Sequence, residues 1–356
     1  MRYIRFLKPP RVVTVKGTSK QEISCLVTIT SDLGDTFLPH DIQLSAELLS
    51  DPSEKIVVWR IVQWSAGMRT LPVTFPLVKT RTSSKLRVRV GFGSKLGRDE
   101  YNLLSEDGAC GVVSAWSSIF EVSVPTSEAE KLVQRRFRLP DGSIVVIYEE
   151  TGESIARHLW DAGITLSCHL SDLCNSESPL TKALLPSGRP AQCQILELGT
   201  GCGMVGITIA QLLPGAEVRL TDLPEAQEIV KRNIHQARPA EGSSLEFQTL
   251  DWDAELPLDL QRPTSPMDLV IAADCTYNSD SSPALVETLS RLAKVSPKVL
   301  VAIAMKMRHP SEEIFFDLMA AAGFQPTARL DYPLPGDLGI GEEMVYLHVY
   351  QHKPRL

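Results

Sequence analysis

The stretch Ile195-Leu-Glu-Leu-Gly-Thr-Gly-Cys-Gly-Met-Val-Gly206 constrains this chain more than any other. An apolar run that ends in glycines and passes straight into a second apolar run reads as a buried strand, a tight turn and a helix. Glycines at 199, 201 and 203 permit positive φ and leave bare backbone for a ligand to lie against. Strand-like and helix-like runs alternate around this turn. Strands are expected at Gln194–Leu198, Glu217–Thr221, Leu245–Leu250, Asp268–Ala273 and Lys298–Ala304, with helices at Val205–Leu213, Glu225–Gln236, Ser282–Ala293 and Glu312–Ala322. Such alternation describes a doubly wound α/β sheet, here a Rossmann-like core over 192–351. The last two runs, Thr327–Tyr332 and Met344–Tyr350, have no helix between them and should pair as an antiparallel hairpin at the sheet edge.

The first third follows a different rule. Short β-rich runs at Ile23–Ile29, Ile42–Leu49, Ile56–Trp64, Leu71–Phe75, Leu86–Val90 and Ile119–Val124 are separated by turn residues, which predicts an all-β, sandwich-like domain over 1–125. Val124-Pro-Thr-Ser-Glu-Ala-Glu130 reads as the linker, and 126–356 as the second domain. That domain opens with a hairpin around Pro140-Asp-Gly-Ser and a helical stretch from Gly152 to Leu173, which together span 132–173. Cys174–Ala191, rich in Ser, Pro and Gly, reads as a surface loop.

Charge divides along the same line. Residues 1–125 hold 16 basic and 12 acidic side chains, net +4; the remainder holds 20 and 31, net -11. An acidic second domain is a poor partner for nucleic acid phosphates, and its charge either suits a basic protein surface or serves solubility alone. No apolar run reaches membrane-spanning length, and no secretory signal is visible at the start. Seven cysteines without C-x-x-C spacing suit reduced thiols in the cytoplasm or nucleus, with no disulfide framework and no metal site.

Gly201-x-Gly203-x-x-Gly206 also satisfies the dinucleotide fingerprint, so the glycines alone leave the ligand open. Glu197 discriminates. A carboxylate two residues before the first glycine repels a pyrophosphate and suits a ligand carrying an ammonium and a sulfonium, as S-adenosylmethionine does. Asp222, nineteen residues after Gly203, is placed to accept ribose hydroxyls or to cap the next helix. Asp251 and Trp252 follow the third strand, where they suit an adenine amino group and ring. The alternative for Trp252 is an aromatic wedged at a strand end.

Ala272-Ala-Asp-Cys-Thr-Tyr-Asn278 ends the fourth strand. With it, residues 135–351 resemble the seven-β-strand lysine methyltransferase family whose members modify chaperones and translation factors. The glycine motif, the Asp251-Trp252 pair, Asp274-x-x-Tyr277 and the upstream Trp160-Asp-Ala162 carry the resemblance. Leu86–Phe92 with Ser114–Phe120 separately resembles the last two strands of a fibronectin type III-like domain. The family resemblance implies that Trp160, Glu197, Gly199, Gly201, Gly203, Asp222, Asp251, Trp252 and Ala273 contact S-adenosylmethionine, and that Asp274 and Tyr277 flank the methyl group. It further implies a protein substrate presenting a lysine. A small-molecule methyltransferase and a catalytically silent scaffold share the same cofactor motifs. Cys202 and Cys275 are expected to be packing residues, and Lys306 and Arg308 solvated surface.

Overall fold

The computed structural model describes every residue except 78–83, 107, 123–126, 152–154, 189, 337–343 and 354–356. It opens on a strand that the sequence conceals. β1 (Arg2–Thr14) carries Pro9 and Pro10 in its second half, and its pairing with β2 (Gln21–Thr30) shifts register between Phe6 and Arg11. Proline cannot donate to a ladder, so the strand survives by bulging there. Next come β3 (Ile42–Ser50), β4 (Ile56–Trp64), β5 (Leu71–Pro76), β6 (Lys85–Gly91), the single-turn helix α1 (Tyr101–Leu104), β7 (Val112–Val113), β8 (Ala115–Ser117), β9 (Phe120–Glu121), β10 (Leu132–Arg138) and β11 (Ile144–Glu150). One sheet has the order β5-β2-β1-β7, the other β11-β10-β8-β6-β3-β4 with β9 on β6. Their facing side chains, among them Ile4, Phe6, Ile23 and Val27 against Leu44, Leu48, Val88 and Val90, form one core. Each fully buried large apolar side chain contributes about 1.5–3 kcal/mol.

The chain separates into two compact units. The first comprises Met1–Arg138 and Val146–His158 with a short stretch at Pro335; the second comprises Leu139–Val145, Leu159–Leu334 and the C-terminal strand. This differs from the division expected after residue 125, a position outside the described residues. Most of the hairpin assigned to the second domain extends the sheet of the first, because Val133 and Gln134 of β10 pair with Ser117 and Trp116 of β8. The described part of the expected linker is pinned rather than free: Val12 N–H donates to Ser127 O and Ala129 N–H to Pro10 O.

The second unit contains short 3-10 turns and α2 (Asp161–His169), α3 (Pro179–Leu184), β12 (Cys193–Leu198), α4 (Met204–Leu212), β13 (Ala216–Asp222), α5 (Gln227–Gln236), β14 (Ser244–Thr249), α6 (Leu258–Gln261), β15 (Leu269–Ala273), α7 (Ser282–Val295), β16 (Leu300–Met305), α8 (Ile314–Ala321), β17 (Phe324–Pro333) and β18 (Met344–His352). The sheet order is β14-β13-β12-β15-β16-β18-β17, parallel from β14 to β16, with β18 antiparallel between β16 and β17. This is the expected Rossmann-like seven-stranded sheet with its edge hairpin. The strand order reverses between β12 and β15, and in such sheets ligands bind at the carboxyl ends of the strands beside that reversal. Two local readings are corrected. The α-helix begins at Asp161, later than the helical stretch expected from Gly152, of which 152–154 lie outside the described residues. The expected loop at 174–191 contains α3, started by Ser178 accepting the Thr181 N–H with Pro179 in the first turn.

Candidate cofactor site and its supports

The carboxyl ends of β12, β13, β15 and β16 build the site. Gly199 lies at φ +60°, and a Cβ there would stand 2.5 Å from Cys275 Sγ and 3.2 Å from the Trp252 ring. Gly201 and Gly203 also have positive φ, and Gly203 leads into α4. In the first turn of α4, a Cβ on Gly206 would meet Leu220 Cδ2 at 2.2 Å and Glu197 Oε2 at 2.6 Å. That bare backbone lets the Gly206 N–H donate to Glu197 Oε2 at 2.9 Å.

Glu197 is 3% exposed. Burial pushes its carboxyl up to about 8; the hydrogen bonds it accepts pull the other way, and the nearby Asp222 charge adds to the rise. Asp222 accepts the Gly201 N–H on Oδ2 and the Leu223 N–H on Oδ1, each at 2.7 Å. Burial raises its pKa against those two bonds. Neither carboxylate has a cationic partner among the described residues, and the causes of their shifts include no lysine, arginine or histidine. A buried carboxyl and a half-buried one near it, without a cation, form a site that lacks positive charge. The ammonium and sulfonium of S-adenosylmethionine supply that charge, whereas a pyrophosphate would worsen the repulsion. The residues therefore fit S-adenosylmethionine.

Cys275 lies between these acids. Its Sγ is 3.3 Å from Leu198 O, and burial, reinforced by the charges of Asp222, Asp274 and Glu197, holds its thiol well above the ordinary value. It is a packing residue, as expected, and so is buried Cys202, whose carbonyl accepts the Asn233 amide at 2.8 Å. Trp252 packs against the core beneath α7 and across Gly199. Asp251 is exposed, and its Oδ1 accepts the Asp253 N–H at 3.0 Å. Ala273 ends β15 in register with Ala304.

The structure places Asp274 at the same edge, 7% exposed and with φ +55°. Both its oxygens are engaged. Oδ2 accepts the Ala162 N–H in the first turn of α2 at 2.6 Å, and Oδ1 accepts from Arg308 Nη1 at 2.7 Å. Helix α2 has no side-chain cap of its own, so Asp274 meets an N-terminal N–H and the positive end of the helix dipole from a distant strand. Trp160 immediately precedes α2, and the Arg308 guanidinium lies 5.6 Å from its ring centroid. Tyr277 is 51% exposed; burial first, then Cys275 and Asp222, raise its phenol, which stays protonated at neutral pH.

Two residues expected on the solvated surface are not there. Lys306 is 2% exposed, and its Nζ lies 2.9 Å from Oδ2 of Asp161, itself 1% exposed. Arg308 belongs to the Asp274 clamp. The sequence holds one signal for this: Lys306 directly follows Leu300–Met305, a strand buried at every position, so its Cα has nowhere exposed to stand. Its acidic partner is 145 residues away, beyond the reach of any local pattern. Among the described residues no group of three or more His, Cys, Asp or Glu side chains is placed to hold a metal ion, and no helix is long and apolar enough to cross a membrane.

A UPF0665 family protein of Schizosaccharomyces pombe is 27% identical to this chain over 321 residues, covering 88% of this chain and 91% of that protein. Protein N-lysine methyltransferase METTL21A of Danio rerio is 31% identical over 162 residues, 45% of this chain and 65% of its own length. Protein-lysine N-methyltransferase EFM6 of Saccharomyces cerevisiae is 28% identical over 186 residues, 48% of this chain and 72% of that protein. The fission yeast match spans both units; each of the other two covers less than half of the chain. Residues 140–322, just over half of the chain, match the model of one family, lysine methyltransferase. With the glycine turn, the acid-lined cleft and the strand order in place, that match shows that the chain belongs to the S-adenosylmethionine-dependent lysine methyltransferase family.

Proposed function

We propose that this chain methylates the ε-amine of a lysine presented by a protein. The observation that carries the reading is the buried Glu197 carboxyl with the half-buried Asp222 near it, beside the glycine turn, with no cation among the described residues to balance them. S-Adenosylmethionine, when bound, supplies an electrophilic methyl group on a sulfonium. Glu197 and Asp222 hold its positive and hydroxyl-bearing parts, Trp160 lies toward its methionine end, and Asp251, Trp252 and Ala273 line the side facing its base. The acidic balance of the second part of the chain, net -11, favours a basic protein surface over nucleic acid.

For the acceptor, the chain must present a neutral amine. A lysine with pKa near 10.4 is only about 0.1% neutral at pH 7.4. A neighbouring carboxylate raises a lysine pKa further. Asp274 is therefore an orienting group and not a means of deprotonation. A carboxylate offers about four lone-pair sites, so Asp274 retains capacity to receive an amine N–H while it clamps α2 and Arg308. Tyr277, half-exposed and protonated, lines the approach. Alignment of amine and methyl is the main catalytic contribution available to these residues.

The Glu197 carboxyl gives this reading a pH signature. Its folded value, about 8, lies above the ordinary 4.5, so the group favours the folded state most below pH 4.5, and that contribution is lost as pH rises through 8. A bound cation favours the ionised form. Binding of S-adenosylmethionine should then release a proton near pH 7 and tighten as pH rises from 7 to 9. Calorimetry in buffers of different ionisation enthalpy measures the release, and Glu197→Gln should abolish it. A proton count of zero for the wild-type chain would remove the electrostatic basis of the cofactor assignment.

The acceptor is tested by methylating mixed protein with tritiated S-adenosylmethionine, hydrolysing it to amino acids and separating the label. Co-elution with methyl-lysine supports the proposal; co-elution with methyl-arginine or methyl-histidine overturns it. We assign recognition of the protein substrate to the N-terminal unit, on its opposite charge and on Trp59 and Ile61 exposed on the edge strand β4. Truncation after 125 would strip β10 of its partner β8, so substitution is the cleaner test. Ile61→Glu should raise KM for the protein acceptor several-fold and leave the affinity for S-adenosylmethionine unchanged; an unchanged KM would contradict the assignment.

A further inference from the structure

One face of the larger sheet of the first unit carries a layer of arginines. Arg89 on β6 stands opposite Glu47 on β3 and Trp116 on β8, and Gln134 on β10 stands opposite Trp116. Arg87 lies on the same face, two residues before Arg89. The guanidinium carbons of Arg136, Arg98 and Arg89 lie 3.9, 4.8 and 5.5 Å from the Trp116 ring centroid. Arg89 is matched by Glu47 at 3.0 Å. Asp99 adds its charge to that of Glu47 on Arg89, and among the described residues the other three arginines have one carboxylate at ion-pair distance, Glu54, 3.1 Å from Arg98 and 2.6 Å from Arg136.

Arg87 is 6% exposed, and its Nη1 donates to Gln134 Oε1 at 2.5 Å. The same oxygen accepts from Arg136 Nε at 3.0 Å and Nη2 at 2.6 Å. One neutral amide oxygen, with two lone pairs, thus receives three N–H groups from two cations. Among the described residues the buried Nε–H groups of Arg87, Arg89 and Arg98 and the indole N–H of Trp116 have no acceptor. Every orphan in this cluster is a donor. Water can satisfy a donor, but it leaves the charge unbalanced: among the described residues, Arg87, Arg89, Arg98 and Arg136 against Glu47, Glu54 and Asp99 is an excess of positive charge.

We propose that Arg87, Arg98, Arg136, Gln134 and Trp116 form a binding site for a phosphate-type oxyanion, separate from the methyl-transfer site. Such an anion carries the negative charge and the several acceptor oxygens that the cluster lacks, and guanidinium forks match its geometry. Burial, then the like charge of Arg87, already presses the Arg136 guanidinium down to about 10, against the pull of Glu54. The side chains of Glu54 and Arg98, 36% and 18% exposed, open the cluster to solvent.

The test titrates the full chain with inorganic phosphate and, in parallel, glycerol phosphate, following thermal unfolding and calorimetric heat against sodium chloride of equal ionic strength. A saturable response should raise the melting temperature by about 5 °C at a hundredfold excess over Kd. Response to inorganic phosphate identifies the free anion as ligand; response to glycerol phosphate alone identifies an esterified one. Arg87→Gln should weaken binding at least about tenfold. Gln134→Glu places a carboxylate where the anion's charge is needed, so it should raise the melting temperature in phosphate-free buffer and remove the response. The proposal is overturned if chloride matches both phosphates, if Arg87→Gln binds as the wild type does, or if Gln134→Glu lowers the melting temperature and still responds.

Discussion

Lys306→Met is expected to destabilise the second unit by about 3–5 kcal/mol, the cost of leaving one member of a buried ion pair alone. The size follows from burial. Lys306 and Asp161 are 2% and 1% exposed and 2.9 Å apart, so the substitution strands a carboxylate in a region that water does not reach. In a unit of this size the melting temperature should fall by about 10 °C. Replacing both partners, Lys306→Met with Asp161→Leu, should recover much of the loss, because an apolar pair of similar volume carries no desolvation cost. Activity should not recover with it, since Asp161 opens α2 directly after Trp160. A single variant as stable as the wild type would show that the pair is solvated and that α2 is held by other means.

The second large effect concerns Asp274. Asp274→Asn should lower kcat about a hundredfold while changing the affinity for S-adenosylmethionine far less. An asparagine oxygen can still accept the Ala162 N–H, and asparagine tolerates the left-handed φ of +55°. It loses the charge that holds Arg308 at 2.7 Å. Arg308 then moves relative to Trp160, whose ring lies 5.6 Å from it, and small displacements of aligned groups cost about 10²-fold in rate. Asp274→Ala should be worse in both respects, because it also orphans the helix N–H and adds about 1 kcal/mol of backbone strain. Steady-state kinetics beside calorimetric binding separates the two terms. Equal losses in kcat and in cofactor affinity would make Asp274 a cofactor ligand and not an orienting group.

The core of the second unit was legible because its signals are local. Gly199 to Gly206 lie within eight consecutive residues, and β15 and β16 are continuous apolar runs of the kind that a sheet covered on both faces requires. What escaped was non-local. β1 was hidden by Pro9 and Pro10, which a bulge accommodates. The hairpin at 132–150 is readable as a hairpin, but the sheet it joins is decided by pairing with Trp116 and Ser117, which no pattern within 132–150 reveals. Lys306 and Arg308 look like surface because cations usually are; their true places depend on Asp161 and Asp274, distant in sequence. The acids of the cleft are legible from the chemistry of a ligand, and the structure adds that Glu197 and Asp222 meet no cation among the described residues.

The most direct measurement is transfer of tritium from labelled S-adenosylmethionine into a proteome extract by the full chain, resolved by gel and followed by mass spectrometry of the labelled protein. The account predicts a discrete protein band carrying methyl-lysine, reduced to a trace when Asp274→Asn replaces the wild type. Label confined to small molecules or nucleic acid, or no transfer by a chain that binds S-adenosylmethionine calorimetrically, would contradict it.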